Sequence, residues 1–120
     1  VLVIPTMNDL RASRSDADAR DGRRVLVITR DGTAARLAFD EICRLTHGAD
    51  RIIRANGGER IEHRNGGRVL FATPRSTGHR GVSVDTIYVD AGADPLLDEG
   101  RWTDLLPCIA ASRDGEVIRA

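Results

Sequence analysis

Three carboxylates, Asp85, Asp90 and Asp94, bracket a short apolar run, Thr86–Val89. Oxygen ligands grouped at a strand end suit a divalent cation such as Mg²⁺. Asp90 is the leading candidate because the run delivers it at its carboxyl end, and Asp94 follows closely. A nuclease centre would want another carboxylate or a lysine nearby, and neither is evident. The chain in fact has no lysine, and all eighteen of its basic residues are arginine. Schiff bases, lysine general bases and the lysine of a phosphate-binding loop are thereby excluded. Every cationic group is a planar, permanently charged fork suited to carboxylates and phosphates. Five of these forks fall in one region: Arg60, Arg64 and Arg68 flank Asn65-Gly66, while Arg75 and Arg80 border the loop Pro74–Gly81. Projecting to one side, they form a basic patch that can track phosphates of a nucleic acid or meet a protein partner. The competing reading is a solvated surface neutralised by Glu59, Glu62 and Asp85. Aromatics make up 3% of the chain, too few for base-stacking platforms.

Other reactive types form no constellation. His47, His63 and His79 are sixteen residues apart and read as surface groups. Ser76 and Ser83 lack the glycine frame of a nucleophile elbow. Cys43 and Cys108 sit among apolar residues with no metal-ligand spacing, so buried free thiols are expected.

The positioning elements follow from the hydropathy pattern. A chain of 120 residues fits one domain. With 41% apolar residues and few aromatics, its core must rest on Val, Leu, Ile and Ala. Zero formal net charge removes a global pull toward DNA or acidic lipid. No stretch nears the ~20 apolar residues of a membrane helix. The apolar run at the N-terminus is too short for a leader, so a cytoplasmic location is the default. Val1–Ile4 reads as a buried strand ended by Pro5. Asn8–Arg24 has no apolar stripe and reads as a mobile or partly helical polar connector, leaving residues 25–120 as the core. Val25–Thr29 is a second buried strand. From Thr33 to Thr46, Ala34, Leu37, Ala38, Ile42 and Leu45 draw one helical face, ended by His47-Gly48. Arg51–Arg54 is a short strand. Glu59–His63 and Arg68–Thr73 flank Asn65-Gly66-Gly67 as a hairpin. Thr86–Val89 is a further buried strand. Trp102, Leu105, Leu106, Ile109 and Ala110 follow helical spacing, with Pro107 set to kink or divide that helix. Glu116–Arg119 reads as a last strand. Strands alternating with an amphipathic helix imply an α/β domain whose mostly parallel sheet gathers function at its carboxyl ends. Exposed edge strands would favour a homo-oligomer through sheet edges.

The stretch Asn65–Ala91, NGGRVLFATPRSTGHRGVSVDTIYVDA, resembles the ATPase core of phage terminase large subunits and, more loosely, RecA-like motors of the P-loop NTPase type. A glycine turn leads into a strand, then a Ser/Arg loop, then R-G-x-S-x-D and an apolar strand ending in Asp. Upstream RRVLVITRDGTAARLAFDEI and downstream WTDLLPCIAASRDGEVIRA extend the similarity over about Arg23–Ala120. The resemblance implies a three-layer RecA-like domain with a β-hairpin insertion that projects from it. It also implies a viral, DNA-packaging setting in the cytoplasm of a bacterial host.

Under this resemblance Asp90 matches the Walker B aspartate, which holds magnesium on the phosphates through a water. Ser83, Asp85 and the Arg80-Gly81 step match residues that shape the loop. Ala91 stands where the family has its catalytic glutamate, and a methyl group cannot orient water. Asp94, three residues on, is the nearest substitute. After the first strand the family has G-x-x-x-x-G-K-[ST], whereas here PTMNDLRA follows VLVI. Arg11 falls at the lysine, Pro5 and Leu10 replace the glycines, and Ala12 replaces the metal-binding hydroxyl. Ala120 falls about where the coupling motif and nuclease domain would begin. The expectation is a module with degenerate Walker motifs, inactive as an ATPase and without a resident cofactor, that binds a protein or DNA. The alternative is a Mg/ATP-binding packaging component completed by another subunit, with Asp90 and Arg11 on the nucleotide and Asp90 and Asp94 on the metal.

Overall fold

A computed structural model of the chain describes residues 9–75 and 82–119. Val1–Ile4, Arg80, Ser76 and His79, all singled out above, lie outside the described residues. One six-stranded sheet organises the rest, in the order β2-β3-β4-β1-β5-β6. Its strands are β1 (Arg24–Ile28), β2 (Arg51–Ile53), β3 (Arg60–Glu62), β4 (Arg68–Ala72), β5 (Thr86–Val89) and β6 (Glu116–Ile118). β4, β1, β5 and β6 run parallel, and β2 and β3 join antiparallel at one side. The expected α/β class with a mostly parallel sheet is therefore observed. The Asn65-Gly66 turn does join two antiparallel strands, as its sequence demands. Neither arm projects, however: β4 pairs with β1 along its whole length, so the hairpin is built into the sheet.

Alternation along the central strands makes two cores. Val25 and Val27 face α1 (Asp9–Arg20) and α2 (Gly32–Leu45), in a cluster with Ala19, Ala38, Phe39, Ile42, Ile61, Val69 and Tyr88. Leu26 and Ile28 face the other way, packing with Ile87, Val89, Leu97, Cys108 and Leu105 of α3 (Glu99–Leu105). Strands buried on both faces need the continuous apolar runs that VLVI and TIYV supply. Pro107 ends α3 as its ring requires, and the chain continues as a 3-10 turn over Leu106–Ile109.

Two expectations are corrected. Of the stretch Asn8–Arg24, read as a mobile or partly helical polar connector, the helical part is observed, but it packs on the sheet rather than standing in solvent. Twelve of its residues form α1, and Ala12, Ser15, Asp16 and Ala19 are buried. The stripe runs i, i+3, i+4, i+7, but its members are small or polar, so hydropathy does not reveal it. Small side chains let the helix approach the sheet closely, and Asp16 is neutralised by Arg20 one turn on, at 3.1 Å. Along α2, Leu37 is 45% exposed while Phe39 is sealed. The buried face is Ala34, Ala35, Ala38, Phe39 and Ile42. Phe39 wins because its ring and that of Phe71 meet edge to face, with centroids 5.7 Å apart.

Tyr88 ties α1 to the sheet. Its hydroxyl donates to Asp18 at 2.8 Å from a fully buried ring. Tyr88→Phe is expected to cost about 1 kcal/mol in urea unfolding, the net worth of one such bond. An unchanged midpoint would mean that α1 is held by packing alone.

Among the described residues no helix is long and apolar enough to cross a membrane.

Candidate functional site

β1 and β5 are neighbours whose onward connections diverge. From β1 the chain enters α2 on one face and leads toward β2. From β5 it enters a 3-10 turn, Asp94–Leu96, and then α3 on the other face, leading to β6. At such a divergence, beyond the carboxyl ends of the strands, sheets of this kind receive ligands. Asp90 stands there, directly after β5. Its N–H donates to the Ile28 carbonyl at 2.9 Å, continuing the ladder one step past β5. Its carbonyl accepts from the N–H groups of Ala93 and Asp94, folding the chain back into a turn. The residue is 4% exposed, and its Oδ2 is sealed from solvent without a hydrogen-bond partner among the described residues. A buried carboxylate oxygen without a donor is costly, so it marks a place of interest. Thr29, fully buried at the end of β1, donates to the Asp31 carbonyl. Arg101 of α3, 9% exposed, reaches back to the Thr73 carbonyl at 3.3 Å, beyond the end of β4. Nothing in the sequence singled out Arg101. Its spacing on a short helix beside buried Leu105 is the signal that would have found it.

The three aspartates do not converge. Asp85 precedes β5 and Asp90 follows it, so a four-residue strand holds them apart. Their backbones are roughly 16 Å distant at the usual rise per residue. Asp85 belongs to the amino-terminal end of the sheet. It accepts from Arg24 through N–H (2.8 Å), Nε (3.2 Å) and Nη2 (3.2 Å), and from Ser112 Oγ (2.8 Å). The side-chain bond from Arg24, with further help from its backbone and from Ser112, holds the Asp85 carboxyl far below the ordinary carboxylate range. Asp94 does stand near Asp90, but its carboxylate grips Arg119, which also lies 4.9 Å over the Trp102 ring. No group of three or more metal-binding side chains occurs among the described residues. Ala91 is exposed directly beyond Asp90. Arg11 falls in the first turn of α1, and its side chain lies outside what the structure describes.

The arginines also separate. Arg60 and Arg68 share one face of the sheet through their register with Leu70 and Glu62. Arg60 pairs with Glu62 at 2.8 Å, and Arg64 with Asp50 at 3.3 Å. Arg68 donates to the Ser83 carbonyl at 3.3 Å. Arg75 is exposed beyond the opposite end of β4. The expected single basic patch is therefore divided by the length of a strand. Arg23 joins the amino-terminal network, donating to Thr86 Oγ1 (2.8 Å) and pairing with Asp114 (2.7 Å). These guanidinium groups stitch the sheet together.

Comparison with protein-family models, with curated proteins and with solved structures returns no match.

Proposed function

We propose that the chain is a non-hydrolysing RecA-like module, similar to the ATPase core of phage terminase large subunits, that acts by binding a partner. One observation carries the reading. The apolar strand β5 delivers Asp90 to the diverging connections of β1 and β5, yet the next residue is Ala91, where a motor of this kind has its glutamate. The ligand position of such a sheet is kept, and the group that would orient water is a methyl. A protein partner fits better than nucleic acid, because Arg60, Arg64 and Arg68 are already engaged within the fold. The sealed, unpartnered Oδ2 of Asp90 favours one second reading, a nucleotide-binding component that another subunit completes.

Titration with a fluorescent ATP analogue and magnesium, alongside phosphate release, separates the two. No turnover and no magnesium-dependent binding are expected. Tight magnesium-dependent binding that Asp90→Asn abolishes would establish the second reading. A DNA filter-binding series in salt tests the partner class. Affinity through phosphates should fall steeply, with a log–log slope of about −0.9 per contacted phosphate. Strong, salt-steep binding would reverse the preference for a protein.

A further inference from the structure

A cleft lies away from Asp90, between the first turn of α2 and the turn that leads into β3. Gly32, Thr33, Arg36 and Leu37 form one wall, and Asn56 and Gly57 the other. The outer chamber measures about 520 Å³, and an inner recess of about 70 Å³ runs down to Ala35 and to Phe71–Thr73 at the end of β4. Glu59 lines both chambers. It is only 7% exposed, and its carboxylate makes no hydrogen bond or ion pair among the described residues. The sequence had set it against the hairpin arginines. Arg60 instead turns to Glu62.

The stem of Glu59 is buried, its carboxylate faces the cleft, and no group among the described residues competes for it, so a donor that enters the cleft finds an unengaged acceptor. The other charge in the cleft cannot serve. Arg36 donates from Nη1 to the Arg54 carbonyl at 2.7 Å and lies 3.7 Å from Asp40 through Nε. The amino end of α2 is also occupied, since Asp31 caps it by accepting from the Ala34 N–H at 2.9 Å. An anion therefore finds no open backbone cradle, and the unmatched group is negative. The outer chamber falls within the usual size of small-molecule sites, which are mostly apolar with a few fixed polar groups.

We infer that this cleft is a binding site for a small organic cation, with an ammonium or guanidinium head seated on Glu59 and its apolar stem along Leu37. The inference stands apart from the strand-end reading and does not depend on it. Hydrogen bonds between an ionised donor and a carboxylate are the strong kind, and a guanidinium can make two in parallel.

The test follows amide shifts of Gly32, Gly57 and Glu59 by NMR during titration with L-arginine and L-lysine, against neutral citrulline. Saturable shifts are expected with at least one cation, and citrulline should bind at least about tenfold more weakly. Glu59→Gln should weaken the cation at least about tenfold while leaving the thermal midpoint near that of the parent, since no internal bond is lost. Gly32→Phe gives an independent check. A Cβ at Gly32 meets nothing within 4 Å, so the position accepts a side chain, and with a thermal midpoint near the parent's confirming the fold, binding should vanish. Equal binding of arginine and citrulline, undiminished affinity in Glu59→Gln or Gly32→Phe, or no saturable shift with either cation would each overturn the inference.

Discussion

Gly67→Ala is expected to lower the thermal midpoint by roughly 10–15 °C. A Cβ at Gly67 would lie 1.8 Å from the Ala19 carbonyl oxygen, 2.9 Å from the Ala19 carbonyl carbon and 3.0 Å from the Gly22 Cα. All three are backbone atoms, so no rotamer change relieves the contact. The end of α1 would have to lift from the hairpin. That movement also breaks the bond from Asn65 Nδ2 to the Arg20 carbonyl, at 2.8 Å, which closes the helix terminus. Overpacking typically costs about 1–3 kcal/mol, and a clash with backbone on every side belongs at the top of that range, ~3 kcal/mol. Hydrogen exchange should show protection lost first along α1. A midpoint within a few degrees of the parent would mean that the Gly67–Ala19 contact does not exist in solution.

Asp85→Ala is expected to cost about 3 kcal/mol, read as a fall of ~1–2 M in the urea midpoint. Four bonds converge on this carboxylate, three of them from Arg24, and the side chain is 17% exposed. Removing it strands the Arg24 guanidinium and a backbone N–H at the sheet end. The pH dependence carries a definite sign. The folded carboxyl ionises far below its unfolded value, held down first by the Arg24 side-chain bond. The folded state therefore binds fewer protons than the unfolded state in acid. Its contribution is complete above the unfolded value of about 4 and is lost as pH falls toward the folded one. The variant should accordingly show a flatter acid limb than the parent, with the two curves converging at low pH. Parallel curves would show that Asp85 makes no such linkage.

The legible parts of this fold were those in which burial on both sides forces one residue class. Val25–Ile28 and Thr86–Val89 can hardly be anything but central strands, and Asn65-Gly66-Gly67 can hardly avoid a hairpin. Asp90 was legible for the same reason, as the first polar residue after an apolar strand. What hydropathy missed was governed by size or by long-range geometry. α1 packs through Ala12, Ser15 and Ala19, whose value is smallness. Leu37 and Phe39 exchange places because the partner, Phe71, is thirty-two residues away in the chain. Asp85 and Asp90 look like neighbours in the sequence, yet the four residues between them are an extended strand at full stretch. The arginine patch dissolved for a related reason: Arg68 and Arg75 cap opposite ends of one strand. Glu59 was assigned to its nearest cations, and only the close fit of the β3 turn against α2 shows that it meets neither.

The arginine stitching at the amino-terminal end of the sheet has a consequence for alkaline conditions. Guanidinium does not release its proton at any pH a protein meets, so these clasps hold as hydroxide accumulates. The groups that do ionise there are Cys43 and Cys108, pushed up by burial, and Tyr88, pushed up by burial and by its bond to Asp18. Each favours the protonated fold, and its support fades only once pH climbs past its unfolded value. Caustic unfolding of this molecule thus begins with two thiols and a phenol in the cores, while the charged rim is still intact.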